Sequence, residues 1–305
     1  MSRDFRASDR RSLGVAALVT ASVLTLAGCG SSPTAASGAT AGAGGPPTSA
    51  GVGPVAAEQE WAHVHNLTVD GGRLLLGTHD GLWEQFPGQL AQRLSESSFD
   101  VMGFALLNQR MLASGHPGEG EDLPADLGLQ QSTDGGVTWT GVSLEGEVDF
   151  HRLRAVGNVV LGLSAHDGLL LRSTDGGRTW TNEATPPLFD LALDPADPSH
   201  VVGTTQQGPV VSDDGGSSFA PIKGAPLLAV LAWTPKALYG VTPDGVVYSS
   251  KDSSATWRAK GQVAGPPMAL AADGDTVVVL AGAAIVESID GGATFTPRIT
   301  GLVGH

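Results

Sequence analysis

The sequence contains one cysteine, two tyrosines and few basic residues among its 305 positions. A single cysteine cannot form an internal disulfide, so covalent cross-links are excluded as a source of stability. The 17 lysines and arginines are outnumbered by 31 acidic residues, and the formal net charge of −14 argues against nucleic acid as a partner, because phosphate binding needs a basic surface. The chain also lacks a sustained 3.6-residue periodicity and holds 43 glycines and 19 prolines, which disfavours a helical fold.

One apolar run stands near the N-terminus, and it is shorter than a membrane span. It extends from Leu13 to Ala27, about fifteen residues, and it follows a segment rich in arginine. It leads into Gly28-Cys29, which resembles the lipobox of bacterial lipoproteins. Residues 1–28 are therefore predicted to be a lipoprotein signal peptide, and Cys29 is predicted to carry the lipid.

Small residues dominate the segment that follows the cysteine. Residues 30–57 are almost wholly Gly, Ala, Ser, Thr and Pro, which cannot bury enough apolar surface to order a chain. Residues 29–57 are interpreted as a flexible tether, and residues 58–305 as one folded all-β domain. The lipobox resemblance implies that a lipid anchors this domain to the extracytoplasmic face of the cell membrane, where we expect a monomer.

A short pattern recurs five times, and its copies begin 41, 39, 38 and 38 positions apart. A period near forty residues indicates one supersecondary unit that is repeated around an axis. The pattern, Ser-x-Asp-x-Gly-x-Thr followed by Trp or Phe, resembles the Asp-box (BNR) repeat of β-propellers, a group that includes sialidases, sortilin-type receptor domains and a photosystem II assembly factor. The copies begin at Ser132, Ser173, Ser212, Ser250 and Ser288.

Each repeat has the pattern of four short strands separated by turn signals such as Asp-Gly. Residues 61–99 have strand patterns without the repeated motif and are interpreted as a degenerate first blade. The sequence therefore predicts an all-β, six-bladed β-propeller, and it leaves open a seventh blade or a different closing strand. Innermost strands are predicted at residues 62–69, 100–107, 149–156, 188–194, 227–233 and 267–272.

The repeated motif is predicted to be structural. Its Asp accepts backbone N–H bonds inside the turn, its glycines adopt positive φ, and its aromatic residue packs beside the next sheet. The fourth copy has Ser253 and Ser254 where the other copies have glycine, so we expect a strained or differently shaped turn there.

Histidines gather on one predicted face of the propeller. The first strand of a blade begins on the face where the second strand ends, and six of the eight histidines occupy such positions in blades 1 to 3. Side chains two residues apart on a strand point the same way, so three pairs are expected at the mouth of the central channel. The pairs are His63/His65, Asp100/Met102 and Asp149/His151, and the second strands end at His79, His116 and His166.

Imidazoles, carboxylates and a thioether together predict a transition-metal site at this mouth. Imidazole suits copper or zinc, and a methionine ligand favours copper. The structural alternative is that single histidines cap hairpin turns, as at His79-Asp80-Gly81 and His166-Asp167-Gly168. The predicted metal ligands are His63, His65, His116 and His151, joined by His79 and Met102.

Five further short motifs occur in order along the first three blades. They are His-Val-His-Asn-Leu at 63–67, Thr-His-Asp-Gly-Leu at 78–82, Met-Gly-Phe at 102–104, Ser-Gly-His-Pro at 114–117 and Asp-Phe-His-Arg-Leu at 149–153. Their order resembles that of bacterial secreted proteins labelled glycosyl hydrolases by similarity, with Asn66 in place of a glycine. The resemblance implies a glycoside hydrolase as an alternative function, with Asp100, Asp149 or Glu147 as catalytic carboxylates roughly 5–9.5 Å apart. Sialidase chemistry does not fit, because it needs a tyrosine nucleophile and three arginines that these motifs do not supply.

A third interpretation is an assembly module, in which the flat face binds another protein of the cell envelope. On this view the partner is an envelope protein, whereas the hydrolase alternative implies a glycan. The segment from His116 to Pro124 is an insertion relative to the other blades and is a candidate for binding or gating.

Overall fold

The computed structural model describes residues 55–56, 63–183 and 186–302. The predicted signal peptide, the predicted lipidation site Cys29 and most of the predicted tether lie outside the described residues. Within the described ranges there is no helix of the length and hydropathy that crossing a membrane requires.

Six antiparallel sheets follow one another along the chain, and each takes four consecutive strands in sequence order. The first strand of every sheet contacts the first strand of the next sheet, and the sixth sheet contacts the first. The six sheets therefore form a closed ring of blades with their first strands at the centre. This architecture confirms the predicted all-β, six-bladed β-propeller.

Blades 1 to 3 carry the histidine-rich part of the sequence. Strand β1, Val55–Ala56, precedes them. Blade 1 comprises β2 Val64–Asp70, β3 Arg73–Thr78, β4 Gly81–Gln85 and β5 Gln92–Arg93; blade 2 comprises β6 Asp100–Leu107, β7 Arg110–His116, β8 Leu129–Ser132 and β9 Thr140–Ser143; blade 3 comprises β10 Phe150–Val156, β11 Val159–Ser164, β12 Leu170–Ser173 and β13 Thr181–Glu183.

Blades 4 to 6 follow the same plan, with shorter inner strands in blades 4 and 5. Blade 4 comprises β14 Asp190–Leu193, β15 Val201–Thr205, β16 Gly208–Ser212 and β17 Ala220–Pro221; blade 5 comprises β18 Val230–Trp233, β19 Leu238–Val241, β20 Val246–Ser250 and β21 Arg258–Gln262; blade 6 comprises β22 Pro267–Asp273, β23 Thr276–Ala281, β24 Ala284–Ser288 and β25 Thr296–Thr300.

The last blade carries an additional outer strand. Strand β1 pairs in parallel with β25, so blade 6 has five strands. The sequence pattern assigned Val55 and Ala56 to the tether, and in the structure these two residues pair with β25. Composition alone did not predict this pairing, because a two-residue strand has too few side chains to show an alternating pattern.

A buried arginine also joins the last blade to the first. The Arg298 side chain is 3% exposed and forms an ion pair with Glu287 of its own blade at 2.7 Å. Its other nitrogens donate to the side-chain oxygen of Gln85 at 2.7 Å and to the carbonyl oxygens of Gln85 and Gly72, both at 2.9 Å. One guanidinium therefore satisfies four acceptors across the junction where the ring closes.

The five Ser-x-Asp turns share one hydrogen-bond pattern. In the first turn the Ser132 hydroxyl donates to Asp134 at 2.7 Å and accepts the Gly136 N–H at 2.8 Å. The Thr138 hydroxyl and N–H both donate to the same carboxylate. These bonds to the charged form lower the pKa of Asp134 to about 2, with the Thr138 hydroxyl as the largest cause.

The fourth turn keeps this pattern without glycine. Ser253 and Ser254 have φ of 50° and 76°, in the left-handed region where the other four copies place glycines. A side chain in that region costs about 1–2 kcal/mol per residue. The expected strained turn is therefore present, and the Asp252 bonds to Thr256 hold it in place.

Apolar side chains fill the spaces between adjacent blades. The aromatic residue after each turn packs inward, as Trp139 does against Phe99 and Trp180 does against Phe150, with ring centroids 5.4 and 5.0 Å apart. A central cavity of about 250 Å³ lies between inner strands and is lined by residues that include Phe104. This cavity is the central channel of the propeller.

We expect Arg298→Met to lower the free energy of unfolding by about 3 kcal/mol, because the substitution leaves Glu287 and two carbonyl oxygens without their partner. Equilibrium denaturation in urea measures the effect. The matched control is Arg258→Met, which removes an exposed arginine from blade 5 and should change stability by less than about 0.5 kcal/mol. Equal effects of the two substitutions would contradict a closing role for Arg298.

Candidate functional site

The inner strands carry β-bulges at the predicted histidine positions. Pairing between β2 and β3 skips His65, pairing between β6 and β7 skips Met102, and pairing between β10 and β11 skips His151. Blade 6 has the same irregularity at Met268. A bulge adds one residue to a strand and redirects its side chain, so the four bulged residues occupy matching places in the repeat.

Three imidazoles and one buried carboxylate form what we call the Asp100 cluster: His63, His65, His79 and Asp100. His65 Nε2 lies 3.0 Å from Asp100 Oδ1, and His79 Nδ1 lies 2.9 Å from Asp100 Oδ2. The His63 ring is centred 6.1 Å from the His65 ring and 6.3 Å from the His79 ring. Blade 1 therefore supplies the imidazoles and blade 2 supplies the carboxylate.

Two atoms of this cluster are buried without a hydrogen bond. His65 Nε2 and Asp100 Oδ1 are close together, but their relative orientation does not make a hydrogen bond, and neither atom has another such partner among the described residues. Burying polar atoms without well-aligned hydrogen bonds is costly, and coordination of a cation is one way to offset that cost. His65, His79 and Asp100 each offer a donor atom, and these donor atoms lie within 4.8 Å of one another.

A second group, the Asp149 cluster, comprises Asp149, His116 and His151. His151 Nε2 lies 2.8 Å from Asp149 Oδ2, and His116 Nε2 lies 3.4 Å from the same oxygen. The Asp149 side chain is 2% exposed, and its Oδ1 atom has no hydrogen bond within the described chain. Two exposed imidazoles thus flank a carboxylate that solvent does not reach.

Asp126 extends this cluster along the face. Its Oδ2 atom lies 3.1 Å from His166 Nε2, and its Oδ1 atom lies 3.9 Å from His116 Nδ1. The same nitrogen of His116 lies 2.8 Å from the Ala125 carbonyl oxygen, so the two ends of the insertion are held together. Sequence reasoning missed Asp126, because the residue stands inside a long loop with no repeat partner.

In blade 4 the equivalent carboxylate, Asp190, accepts a hydrogen bond at each of its two oxygens. Asp190 Oδ1 accepts a hydrogen bond from Arg154 at 2.8 Å, and Asp190 Oδ2 accepts the Leu231 N–H at 2.8 Å. Arg152 lies 3.5 Å from the same carboxylate. Asp100 and Asp149 differ from Asp190 in two ways. Their partners are imidazoles in place of arginines, and one oxygen of each carboxylate accepts no hydrogen bond from the described residues.

The predicted site residues thus fall into two groups. His63, His65 and His79 surround Asp100, whereas His116 and His151 surround Asp149. Of the other predicted residues, half-buried Met102 has a carbonyl oxygen that accepts a bond from Asn66, and Glu147 is exposed in the turn before β10.

Asn66 stands where the motif that this segment resembles has a glycine, and its contacts explain the larger side chain. Its side-chain nitrogen donates to the Val101 and Met102 carbonyl oxygens, each at 3.1 Å. Gly77 makes room for it, since a Cβ at that position would lie 2.5 Å from the amide. Asn66 therefore fastens blade 1 to β6 beside the Asp100 cluster.

No protein-family model matches the sequence, and no curated protein matches it either. Solved structures do match. YCF48 bound to D1 peptide is 21% identical with a TM-score of 0.50, over 78% of this chain and 82% of that chain. The fold is a β-propeller.

Two further structures extend this likeness. A chain of a nidogen/laminin complex is 9% identical with a TM-score of 0.57, over 74% of this chain and 93% of that chain. A GH74 xyloglucanase from Xanthomonas campestris is 18% identical with a TM-score of 0.52, over 78% of this chain and 45% of that chain. At these identities the likeness concerns the fold alone.

We expect the pKa of His166 to lie above its ordinary value of 6.5, because Asp126 accepts a hydrogen bond from the ring and favours the charged form. An NMR pH titration of the histidine rings, with His166→Gln for assignment, measures the value. Asp126→Asn should lower the pKa. The control Asp167→Asn should lower it less, since Asp167 is a weaker cause. An unchanged pKa in Asp126→Asn would exclude the proposed pair.

Proposed function

We propose that the protein is a lipid-anchored β-propeller on the extracytoplasmic face of a cell membrane, and that it binds a divalent transition-metal ion at the Asp100 cluster. The anchor rests on Cys29 and the apolar run before it. The metal site rests on the convergence of His65, His79 and Asp100.

The observation that carries the metal proposal is the convergence of donor atoms from His65, His79 and Asp100, among which His65 Nε2 and Asp100 Oδ1 are buried. Bonds of about 2.0–2.2 Å from nitrogen and oxygen to a metal place two ligands of one ion about 3–3.6 Å apart. The observed separation of 3.0 Å lies in this range. A bound cation would coordinate both atoms and would offset the cost of burying them.

Two imidazole nitrogens and one carboxylate oxygen suit Zn(II) or Cu(II). His63 is the candidate for a fourth ligand, because its ring stands beside those of His65 and His79. The ligand set proposed here therefore keeps the blade 1 histidines of the sequence prediction. It assigns His116 and His151 to the Asp149 cluster instead.

The hydrolase alternative has weaker support than metal binding. The side chains of Asp100 and Asp149 are 8% and 2% exposed, and imidazoles stand between each carboxylate and solvent. A sugar that approached this face would first meet histidines, of which His79 is 56% exposed. A glycosidase acid, in contrast, must reach the glycosidic oxygen directly.

Metal titration of the full chain, purified without a polyhistidine tag and freed of metal with a chelator, tests the site. We expect one equivalent of Zn(II) or Cu(II) to bind, measured by calorimetry against a competing chelator. His65→Ala/His79→Ala should weaken binding by on the order of 100-fold or more, because loss of ligands exceeds the 10–100-fold typical of outer-shell changes.

The matched control is His200→Ala. This histidine also pairs with a carboxylate, Asp213, but it lies at the end of blade 4 that carries the Ser-x-Asp turn. Its removal should leave the affinity unchanged. Absence of binding at micromolar metal, or equal affinity in the double variant, would exclude the proposed site.

Cys29→Ala tests the anchor. We expect the wild-type chain in the membrane fraction of cells and the variant outside it, because the acyl chains on Cys29 supply the membrane affinity. Immunoblots of fractionated cells measure the distribution. Equal membrane retention of both chains would contradict lipid anchoring at this residue, and Ser31→Ala serves as the neighbouring control.

A further inference from the structure

A cavity of about 330 Å³ lies between blade 1 and the outer half of blade 2, and none of its lining residues belongs to either histidine cluster. Three connections form its walls: the segment between β5 and β6, the insertion after β7, and the turn between β8 and β9. A volume near 300 Å³ is at the small end of the range for ligand pockets. The residues that decide its chemistry are Glu96, Phe99, Glu121, Leu123, Val137 and Trp139.

The pocket has an aromatic floor and apolar sides. Trp139 packs edge-on against buried Phe99 at 5.4 Å and lines the cavity itself. Leu123 and Val137 are 51% and 41% exposed, so two apolar side chains flank the opening in contact with water. An apolar ligand group in the pocket would remove this surface from water.

The charged residues that line the pocket are both acidic. Glu96 and Glu121 line it, and none of the described lining residues is a base. Glu121 is fixed in place, because its two oxygens accept the Ser97 hydroxyl at 2.7 Å and the Gly118 N–H at 2.9 Å. Arg93 is not among the lining residues and donates to the Glu96 carbonyl oxygen at 3.3 Å.

We propose that this pocket binds an alkylammonium group on an apolar stem. The stem would lie against Trp139, Leu123 and Val137, and the cation would face the two glutamates. A cation near an indole face gains about 0.5–2 kcal/mol, and ion pairing adds to this gain. The source is a free amine or the lysine side chain of a protein partner, since both present the same group.

The insertion from His116 to Pro124 is the feature that builds this pocket. It supplies Glu121 and Leu123, and blade 2 is the blade in which the sequence pattern places this insertion. The pocket shares none of its lining residues with the Asp100 cluster. The two sites can therefore be tested independently.

Three probes of one shape and different charge test the proposal: 4-phenylbutylamine, 4-phenylbutanol and 4-phenylbutyrate. They are titrated into the full chain in the presence of a chelator, and binding is followed by calorimetry and ligand-observed NMR. We expect the amine to bind about fivefold more tightly than the alcohol, as about 1 kcal/mol of charge pairing implies, and the acid to bind least. Equal binding of amine and acid, or no binding of the amine, would overturn the proposal.

Variants locate the binding. Glu96→Gln should weaken the amine roughly threefold to fivefold and leave the alcohol unchanged, and because Glu96 is exposed the variant should fold normally. Glu147→Gln, an exposed glutamate outside the pocket, is the matched control. Equal loss in both variants would mean that overall charge, rather than this pocket, attracts the amine. His65→Ala/His79→Ala should bind the amine as the wild type does, so failure of the metal site and failure of this pocket are distinguishable.

The source of the cation is decided by capped tripeptides, acetyl-Ala-Lys-Ala-amide and its norleucine counterpart. Tighter binding of the lysine peptide than of 4-phenylbutylamine supports a protein side chain. Binding of the amine without the peptide supports a free amine. Equal binding of the two peptides, together with failure of the amine, rejects a cation site.

Discussion

A carboxylate near the start of an inner strand is the contact on which adjacent blades depend at the histidine face. Asp100, Asp149 and Asp190 each receive a side chain from the preceding blade, at distances from 2.8 to 3.4 Å. A buried carboxylate is tolerated only where such partners exist, so each of these contacts fixes the position of one blade relative to the next. Arg298 joins the last blade to the first by a comparable set of polar contacts.

A carboxylate at this position in the blade has different partners in different blades. Around Asp190, two arginines and a backbone N–H leave both oxygens satisfied, and the contact is structural. Around Asp100 the partners are imidazoles, which can lose a proton and bind a metal, and one oxygen is left unsatisfied. The contact around Asp190 is thus structural, whereas the exchange of guanidinium for imidazole around Asp100 makes a candidate ligand site.

The sequence predicted the propeller fold and the four-strand plan of each blade, because a period of 38–41 residues with turn motifs marks the repeat, and it left a seventh blade open. It also placed the histidines on one face, since strand polarity assigns each end of a strand to a face. It could not show which imidazole shares which carboxylate, because the bulges at His65 and His151 and the rotamers decide those distances. The sequence marked the insertion from His116 to Pro124 as a binding candidate, but it could not show the amine pocket, because the walls of that pocket come from three connections that meet only in the folded chain.

The recurrence of one bulge has a consequence for how such a face changes. His65, Met102, His151 and Met268 stand at the same irregularity in four blades, so the backbone there is a property of the repeat and not of any one side chain. Exchanging these side chains alters the chemistry of the channel mouth while strand pairing stays as it is. The shared bulge therefore lets the side chain at the rim differ from blade to blade, histidine in two and methionine in two, on one pattern of strand pairing.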